Sequence, residues 1–120
     1  MDRYGPLSRY VETLALLGDE SGLRLCALLM ERELCVTDLV RVTGIAQSRV
    51  STHLGRMRDA GVLHGRRNGV QTFYGVVKEG LPEPVRGVLD EAIRAPDPTL
   101  LGDKKRLAEL EAERREGLPE

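Results

Sequence analysis

Arginine is concentrated in one part of this chain. Between residues 48 and 69, five positive charges face a single negative one, Asp59, although the whole chain has a net charge of −1. The remainder of the chain is therefore acidic. Guanidinium groups neutralise phosphates and release the counterions bound to them. The arginines of this basic segment are Arg49, Arg56, Arg58, Arg66 and Arg67.

Small polar residues share the basic segment with the arginines. On one side of a predicted helix lie Gln47, Ser48, Ser51, Thr52 and Gly55. They have no bulk to hold a helix away from a neighbouring surface, and Gly55 costs roughly 1 kcal/mol relative to alanine inside a helix. A major groove, about 12 Å wide, admits a helix whose polar side chains contact base edges. The pattern indicates DNA binding. Arg49 and Arg56 would flank the small polar stripe, and Arg66 and Arg67 would lie over the adjacent DNA backbone or minor groove.

Two cysteines and two histidines are the soft ligands of the chain. Structural zinc sites usually take four nitrogen or sulfur donors. Because Cys26 and both histidines are expected in other roles, with His53 packing or contacting a phosphate, we predict no metal site. Cys26 lies on an apolar helical face and is predicted to be a core residue, while His64 is interpreted as a plain polar residue. Cys35 is predicted at a helix start, where the partial positive charge lowers the pKa of a thiol. It is therefore the candidate thiol sensor.

Catalytic motifs are missing from the sequence. It contains no GxxxxGK[ST], no HExxH and no paired CxxC. Ser51, His53 and Asp59 resemble a triad only in composition, because residues two apart on a helix point in different directions. We predict that the chain is not an enzyme and uses no cofactor.

Composition fits a soluble globular protein of one domain. The 120 residues are 41% hydrophobic and 31% charged, with few aromatic residues, so leucine, valine and alanine must form the core. A small aliphatic core would be helped by a dimer interface. The longest aliphatic run, LALL, is too short to span a bilayer, no leader opens the chain, and so few cysteines favour a reduced, cytoplasmic location.

Apolar periodicity and glycine stops predict the helices. Residues 7–17 and 20–33 form the first two. A short third helix runs from Cys35 to its stop at Gly44, and a fourth runs from about Gln47 to Ala60, before Gly61. Two short helices joined through TGIAQ match the helix-turn-helix pattern. Within it, the predicted packing sets Val50, Leu54 and Met57 against Leu39, Val42 and Ile45.

A β-hairpin follows the helix-turn-helix. Two apolar-rich runs flank Asn68 and Gly69, both of which tolerate positive φ. Residues 82–95 form a further helix, and a charged helix from Leu100 to Gly117 ends the chain. The predicted fold class is mainly α with a small β-hairpin: a homodimeric winged helix-turn-helix of five to six helices. Residues 1–95 would form the DNA-binding and dimerisation domain, and residues 96–120 a charged extension that either lengthens the dimer interface or lies loose.

The sequence of residues 33–76 strongly resembles the winged-helix core of the ArsR/SmtB family of bacterial repressors. The resemblance is carried by LCVTDL, by QSRVSTHLGRMRDAGVL and by the R-x-G hairpin with its aromatic return strand. It implies a homodimer that binds an imperfect promoter palindrome in double-stranded DNA and is released by an inducer. It also implies the residues that contact DNA: Gln47, Ser48, Arg49, Ser51, Thr52 and His53, with Arg66 and Arg67 on the wing.

The chain departs from the family pattern at its sensor positions. Many members carry ELCVCDL, whose two cysteines bind arsenic or soft metals, whereas this chain has ELCVTDL with Thr37 in place of the second thiol. The other family site uses Asp and His ligands on the last dimer helix, and LPEPVRGVLDEAIRA contains no histidine. A metal or thiol-reactive inducer thus lacks the usual ligand set, and a member that does not respond to metals is expected.

One alternative belongs to another functional class. A winged helix can serve as a protein-interaction or dimerisation module without specific DNA contact. The small polar stripe and the wing arginines argue against that alternative.

Overall fold

The protein is described by a computed structural model covering residues 5–117. Six α-helices and a three-stranded sheet occur within that range. A 3₁₀ turn, Lys78–Gly80, connects the sheet to the last two helices. The elements are α1 (Pro6–Leu17), α2 (Glu20–Glu31), β1 (Leu34–Cys35), α3 (Val36–Thr43), α4 (Gln47–Asp59), β2 (Leu63–Asn68), β3 (Gln71–Val76), α5 (Glu83–Arg94) and α6 (Pro98–Arg115).

The helix-turn-helix ends where the glycines predict. Gly44 closes α3 with φ 74°, and Gly61 follows α4 with φ 79°. Both values lie in the left-handed region, which glycine reaches without a Cβ penalty. The predicted C-terminal ends of α3 and α4 are therefore confirmed to within one residue.

The sheet has strand order β1-β3-β2, and all its pairs are antiparallel. The hairpin is confirmed, but its turn is shifted from the predicted one. Asn68 remains in the strand, paired with Gln71, and only Gly69 has positive φ, at 67°. A loop of Gly69 and Val70 needs positive φ at its first residue alone. The strand β1 was not predicted.

All six helices within residues 5–117 contribute aliphatic residues to one core. From α1 this contribution is Leu17, while the outer face of that helix stays exposed. The predicted packing between α3 and α4 is confirmed, because all six residues are buried in the same cluster. Cys26 is also buried there, as predicted. The six residues, of α3, α4 and the turn between them, are Leu39, Val42, Ile45, Val50, Leu54 and Met57.

The last helix is docked on the helix-turn-helix and does not lie loose. Leu107 and Leu110 are buried in the core cluster. Asp103 accepts two hydrogen bonds from Arg24 of α2, both at 2.9 Å, and Arg114 pairs with the buried Asp38 of α3 at 2.6 Å. Because α6 shares the core, this helix is not packed separately from the rest. The division of roles at residue 95 stays a prediction.

No helix within residues 5–117 is long and apolar enough to cross a lipid bilayer.

Candidate nucleic-acid interface

Helix α4 has one buried and one exposed face. Val50, Leu54 and Met57 are almost completely buried, because their spacing of three and four residues places them on one stripe. Residues on the opposite stripe face solvent, and the Oγ1 of Thr52 donates to the Ser48 carbonyl at 2.9 Å. A Cβ built on Gly55 would meet nothing within 4 Å. The exposed members of the predicted DNA-contacting set on α4 are Gln47, Ser48, Arg49, Ser51, Thr52 and Arg56.

Two arginines border the exposed face of α4, and neither is within 4.0 Å of a carboxylate of the described residues. Within residues 5–117, neither Arg49 nor Arg56 forms an ion pair. Arg58, by contrast, lies 3.8 Å from the carboxylate of Asp59. Charged groups with this exposure are available to phosphate oxygens.

The two wing arginines point to opposite faces of the hairpin. Consecutive strand residues alternate in direction, and Arg66 pairs with Phe73 whereas Arg67 pairs with Thr72. The guanidinium of Arg66 lies over the Phe73 ring, 5.4 Å from its centroid, and contacts Glu33. Arg67 donates from Nε to the Gly69 carbonyl at 3.2 Å. The hairpin therefore presents two arginines in different environments, which were predicted as an equivalent pair.

His53 does not lie on the exposed face. Its side chain is 10% exposed, and its Nε2 lies 3.3 Å from Oδ1 of Asp19, the N-cap of α2. The predicted contact between His53 and bases does not fit this position, so we leave His53 out of the DNA-contacting set. Its spacing from Val50 and Leu54 already matched the buried stripe. In the structure it connects α4 to the start of α2.

Asp19 is the partner that sequence analysis missed. Its carboxylate accepts a hydrogen bond from the backbone N–H of Gly22 at 3.1 Å. This bond is the largest influence that lowers the pKa of Asp19, and the charges of His53 and Arg49 add to it. An aspartate just before a predicted helix is a preferred N-cap, which is the signal that could have identified it.

The expected lowering of the Cys35 pKa is not what the structure shows, while its role as a thiol sensor stays a prediction. Its side chain is buried, and burial raises the pKa of the Cys35 thiol above its ordinary value despite hydrogen bonds from the start of α3. Desolvation disfavours the thiolate more than the helix start favours it. Burial raises the pKa of Cys26 to about 12. Within residues 5–117, no group of three or more His, Cys, Asp or Glu side chains could hold a metal ion.

A second surface is apolar and lies on α1 and α5. Leu7 is 75% exposed, Val11 59% and Leu14 46%, while Val88 of α5 is 57% exposed. A shallow groove between the two helices is lined by Tyr10, Leu14, Pro84, Val85 and Val88. Clustered exposed apolar side chains mark interaction surfaces.

Comparisons with known proteins agree on one family. The family described as "Bacterial regulatory protein, arsR family" matches residues 19–64, which include the whole of α2, α3 and α4. The arsenic resistance transcriptional regulator ArsR1 of Pseudomonas putida is 35% identical over 95 residues, 78% of this chain and 73% of that protein. The arsenical resistance operon repressor of Escherichia coli is 33% identical over 85 residues, 70% of this chain and 72% of that protein.

A solved structure of lower sequence identity than these two relatives has the same fold. The transcriptional repressor BigR from Xylella fastidiosa superimposes with a TM-score of 0.57 and 28% identity, covering 69% of this chain and 78% of that one.

Proposed function

This chain belongs to the ArsR family of bacterial regulatory proteins, and on that premise we propose that it is a repressor that binds a palindromic promoter site as a homodimer and is released by an inducer. The family consists of transcriptional regulators and not of enzymes.

The observation that carries the proposal is the exposed face of α4. Its side chains are small and polar, while its opposite face is fixed in the core. Gln47, Ser48, Ser51 and Thr52 would contact base edges. Arg49, Arg56 and the wing residue Arg67 would contact phosphates, which position the protein on the duplex without carrying sequence information themselves.

A homodimer is supported by the apolar surface of α1 and α5. Two helix-turn-helix units related by a twofold axis match two half-sites of a palindrome. The exposed Leu7, Val11, Leu14 and Val88 give each chain a self-complementary patch for such an axis. Residues 1–95 would carry both DNA binding and dimerisation, and residues 96–120 would be a charged extension that supports α2 and α3.

The proposed inducer is not bound by a trio of thiols. Two relatives are named for arsenic resistance, but this chain has two cysteines in all, and both are buried. With Thr37 exposed beside Cys35, the start of α3 offers one thiol, whose pKa is raised by burial. We propose an inducer of another chemical class.

A binding assay with the DNA upstream of the gene itself tests the proposal. The protein is titrated against that duplex and against a shuffled duplex of equal length, over about 50 to 300 mM salt. Preferential binding of the upstream duplex, weakening steeply with salt, is the expected result. Equal binding of both duplexes would favour the interaction-module alternative instead.

A further inference from the structure

Glu33 connects the loop before β1 to the wing arginine Arg66. Both Nε and Nη2 of Arg66 lie 2.9 Å from Oε1 of Glu33. The other carboxylate oxygen lies 3.7 Å from Nε2 of His64. His64 is two residues before Arg66 on β2, so both side chains lie on the same face of the strand. Glu33 therefore holds one edge of the Arg66 guanidinium while the Phe73 ring supports its face.

The backbone of β3 leaves room for this arrangement at Gly75. A Cβ built on Gly75 would lie 2.7 Å from Nε2 of His64 and 3.2 Å from Cγ of Glu33. Any larger residue would displace the two side chains. The cluster of Glu33, His64, Arg66 and Phe73 consequently occupies one face of the hairpin, opposite the face that carries Arg67.

We propose that Glu33 is a specificity-determining residue of the DNA interface. It acts by holding the guanidinium of Arg66 in an ion pair, away from DNA phosphates. The inference rests on the DNA-binding function proposed above. While Arg66 is paired with Glu33, it neutralises no phosphate and releases no counterion. Only Arg67 of the wing pair then contributes to the salt dependence of binding. Within residues 5–117, Arg67 has no carboxylate partner.

The pairing affects random DNA more than the promoter site. Non-specific binding depends on phosphate contacts, whereas specific binding adds base contacts by α4. On its specific site, α4 fixes where the hairpin lies, so a released Arg66 gains a contact only if a phosphate is at that place. On random DNA the protein can shift until a released guanidinium meets one. Glu33 thus lowers affinity for random DNA and widens the preference for the promoter.

A double-mutant cycle tests this function of Glu33. The wild type, E33Q, R66A and the double variant E33Q/R66A are titrated by fluorescence anisotropy against the upstream duplex and a random duplex over the same salt range. E33Q is expected to tighten binding to the random duplex several-fold and to steepen its salt slope by about one unit, because one phosphate gives a slope of about 0.9. R66A is expected to leave the slope nearly unchanged, and the double variant to behave like R66A.

Two results would overturn the proposal. If E33Q tightened binding equally in the R66A background, Glu33 would act only through its long-range negative charge. If R66A alone reduced the slope by about one unit, Arg66 would already be bound to a phosphate. E109Q, which removes an exposed charge on α6, is the matched control and should change neither quantity.

The design separates this proposal from the proposed function. If the wild type showed no preference for the upstream duplex, the repressor proposal would fail, but the slopes on random DNA would still decide the role of Glu33. If the wild type bound neither duplex, both proposals would fail. Circular dichroism of each variant verifies the fold, and R66A alone still tests the slope if E33Q does not fold.

Discussion

Ser51 lies at the centre of the exposed face of α4, and its substitution tests whether that face contacts bases. In the Ser51→Leu variant, an isobutyl group would stand where the helix must approach the groove. We expect operator affinity to fall about 5- to 150-fold, since loss of a good base contact costs about 1–3 kcal/mol. Because Ser51 is exposed, the variant should remain folded.

An equally exposed helical position provides the control for Ser51. The Ala108→Leu substitution adds a similar side chain to the exposed side of α6, and operator affinity should not change. Anisotropy titrations and thermal unfolding of both variants give the comparison. Unchanged operator binding by Ser51→Leu would exclude this face of α4 from the interface.

Asp19 makes the stability of the protein sensitive to acid. Its pKa is lowered in the folded protein, chiefly by the hydrogen bond from the Gly22 N–H. The unfolded chain therefore takes up a proton first as the pH falls. The stabilisation by the charged carboxylate is complete well above the ordinary pKa of 3.8 and is lost as the pH falls through the lower folded-state pKa.

The Asp19→Asn variant isolates this effect, because asparagine still caps a helix but carries no charge. In urea unfolding at pH 6, 4 and 3, the wild type should have a higher free energy of unfolding than the variant at pH 6. This difference should shrink at the two lower pH values. Asp59→Asn, at an exposed position that caps no helix, is the control. A difference that stayed constant with pH would contradict the role of the Asp19 charge.

Side-chain roles in the candidate site were predictable only where local sequence determines exposure. The polar stripe of α4 follows from helical periodicity, and it is exposed as expected. His53 and Cys35 differ because their surroundings come from distant segments: Asp19 contacts the imidazole, and Phe73 pairs with Cys35 across strands. A helix start predicts a lower thiol pKa, but it does not show how much of the thiol is buried.

At the scale of elements, α6 is attached to the helix-turn-helix by charged groups. Asp103 is buried against Arg24, and Arg24 also donates from Nη2 to the Thr43 carbonyl at the end of α3. In the Asp103→Ala variant, the guanidinium of Arg24 would be left in a mostly buried position without its carboxylate. We expect the free energy of unfolding to decrease by about 3 kcal/mol.

Denaturant titration measures that loss against a matched substitution on the same helix. Glu109→Ala removes an exposed acid of α6 and should change the free energy of unfolding by less than about 0.5 kcal/mol. If Asp103→Ala were equally neutral, the contact between α6 and α2 would contribute little to stability.

Local signals predicted most elements, and the rest depend on contacts between segments distant in the chain. Gly44 and Gly61 stop their helices by their own backbone conformation, so these helix ends were correct from sequence. Gly69 also turns the chain, although the hairpin loop lies one residue later than predicted. Strand β1 is two residues long and exists through its pairing with β3, which no local pattern reveals. The docking of α6 could not be predicted either, because its buried Leu107 and Leu110 are supplemented by the ion pairs of Asp103 and Arg114 with distant segments.

At the scale of the whole molecule, the exposed apolar side chains are unevenly distributed. Most of those on described residues lie on α1 and α5, whereas α6 exposes Leu101 at 52%. A contiguous patch gains from burial roughly in proportion to its apolar area. An isolated exposed leucine is common on protein surfaces and needs no partner. The difference between the patch and the single residue allows a controlled test of the dimer.

The Val88→Glu substitution should separate the proposed homodimer without unfolding either chain. Val88 is 57% exposed in the single chain, so glutamate is tolerated there, but a twofold contact would bury two such charges at an apolar interface, which is costly without partners. Leu101→Glu introduces the same charge at similar exposure on α6. Sedimentation velocity should show monomers for Val88→Glu and dimers for Leu101→Glu. Operator affinity should fall only in the former, because a monomer engages one half-site. Two dimeric variants would move the interface away from α5, and two monomeric ones would extend it to α6.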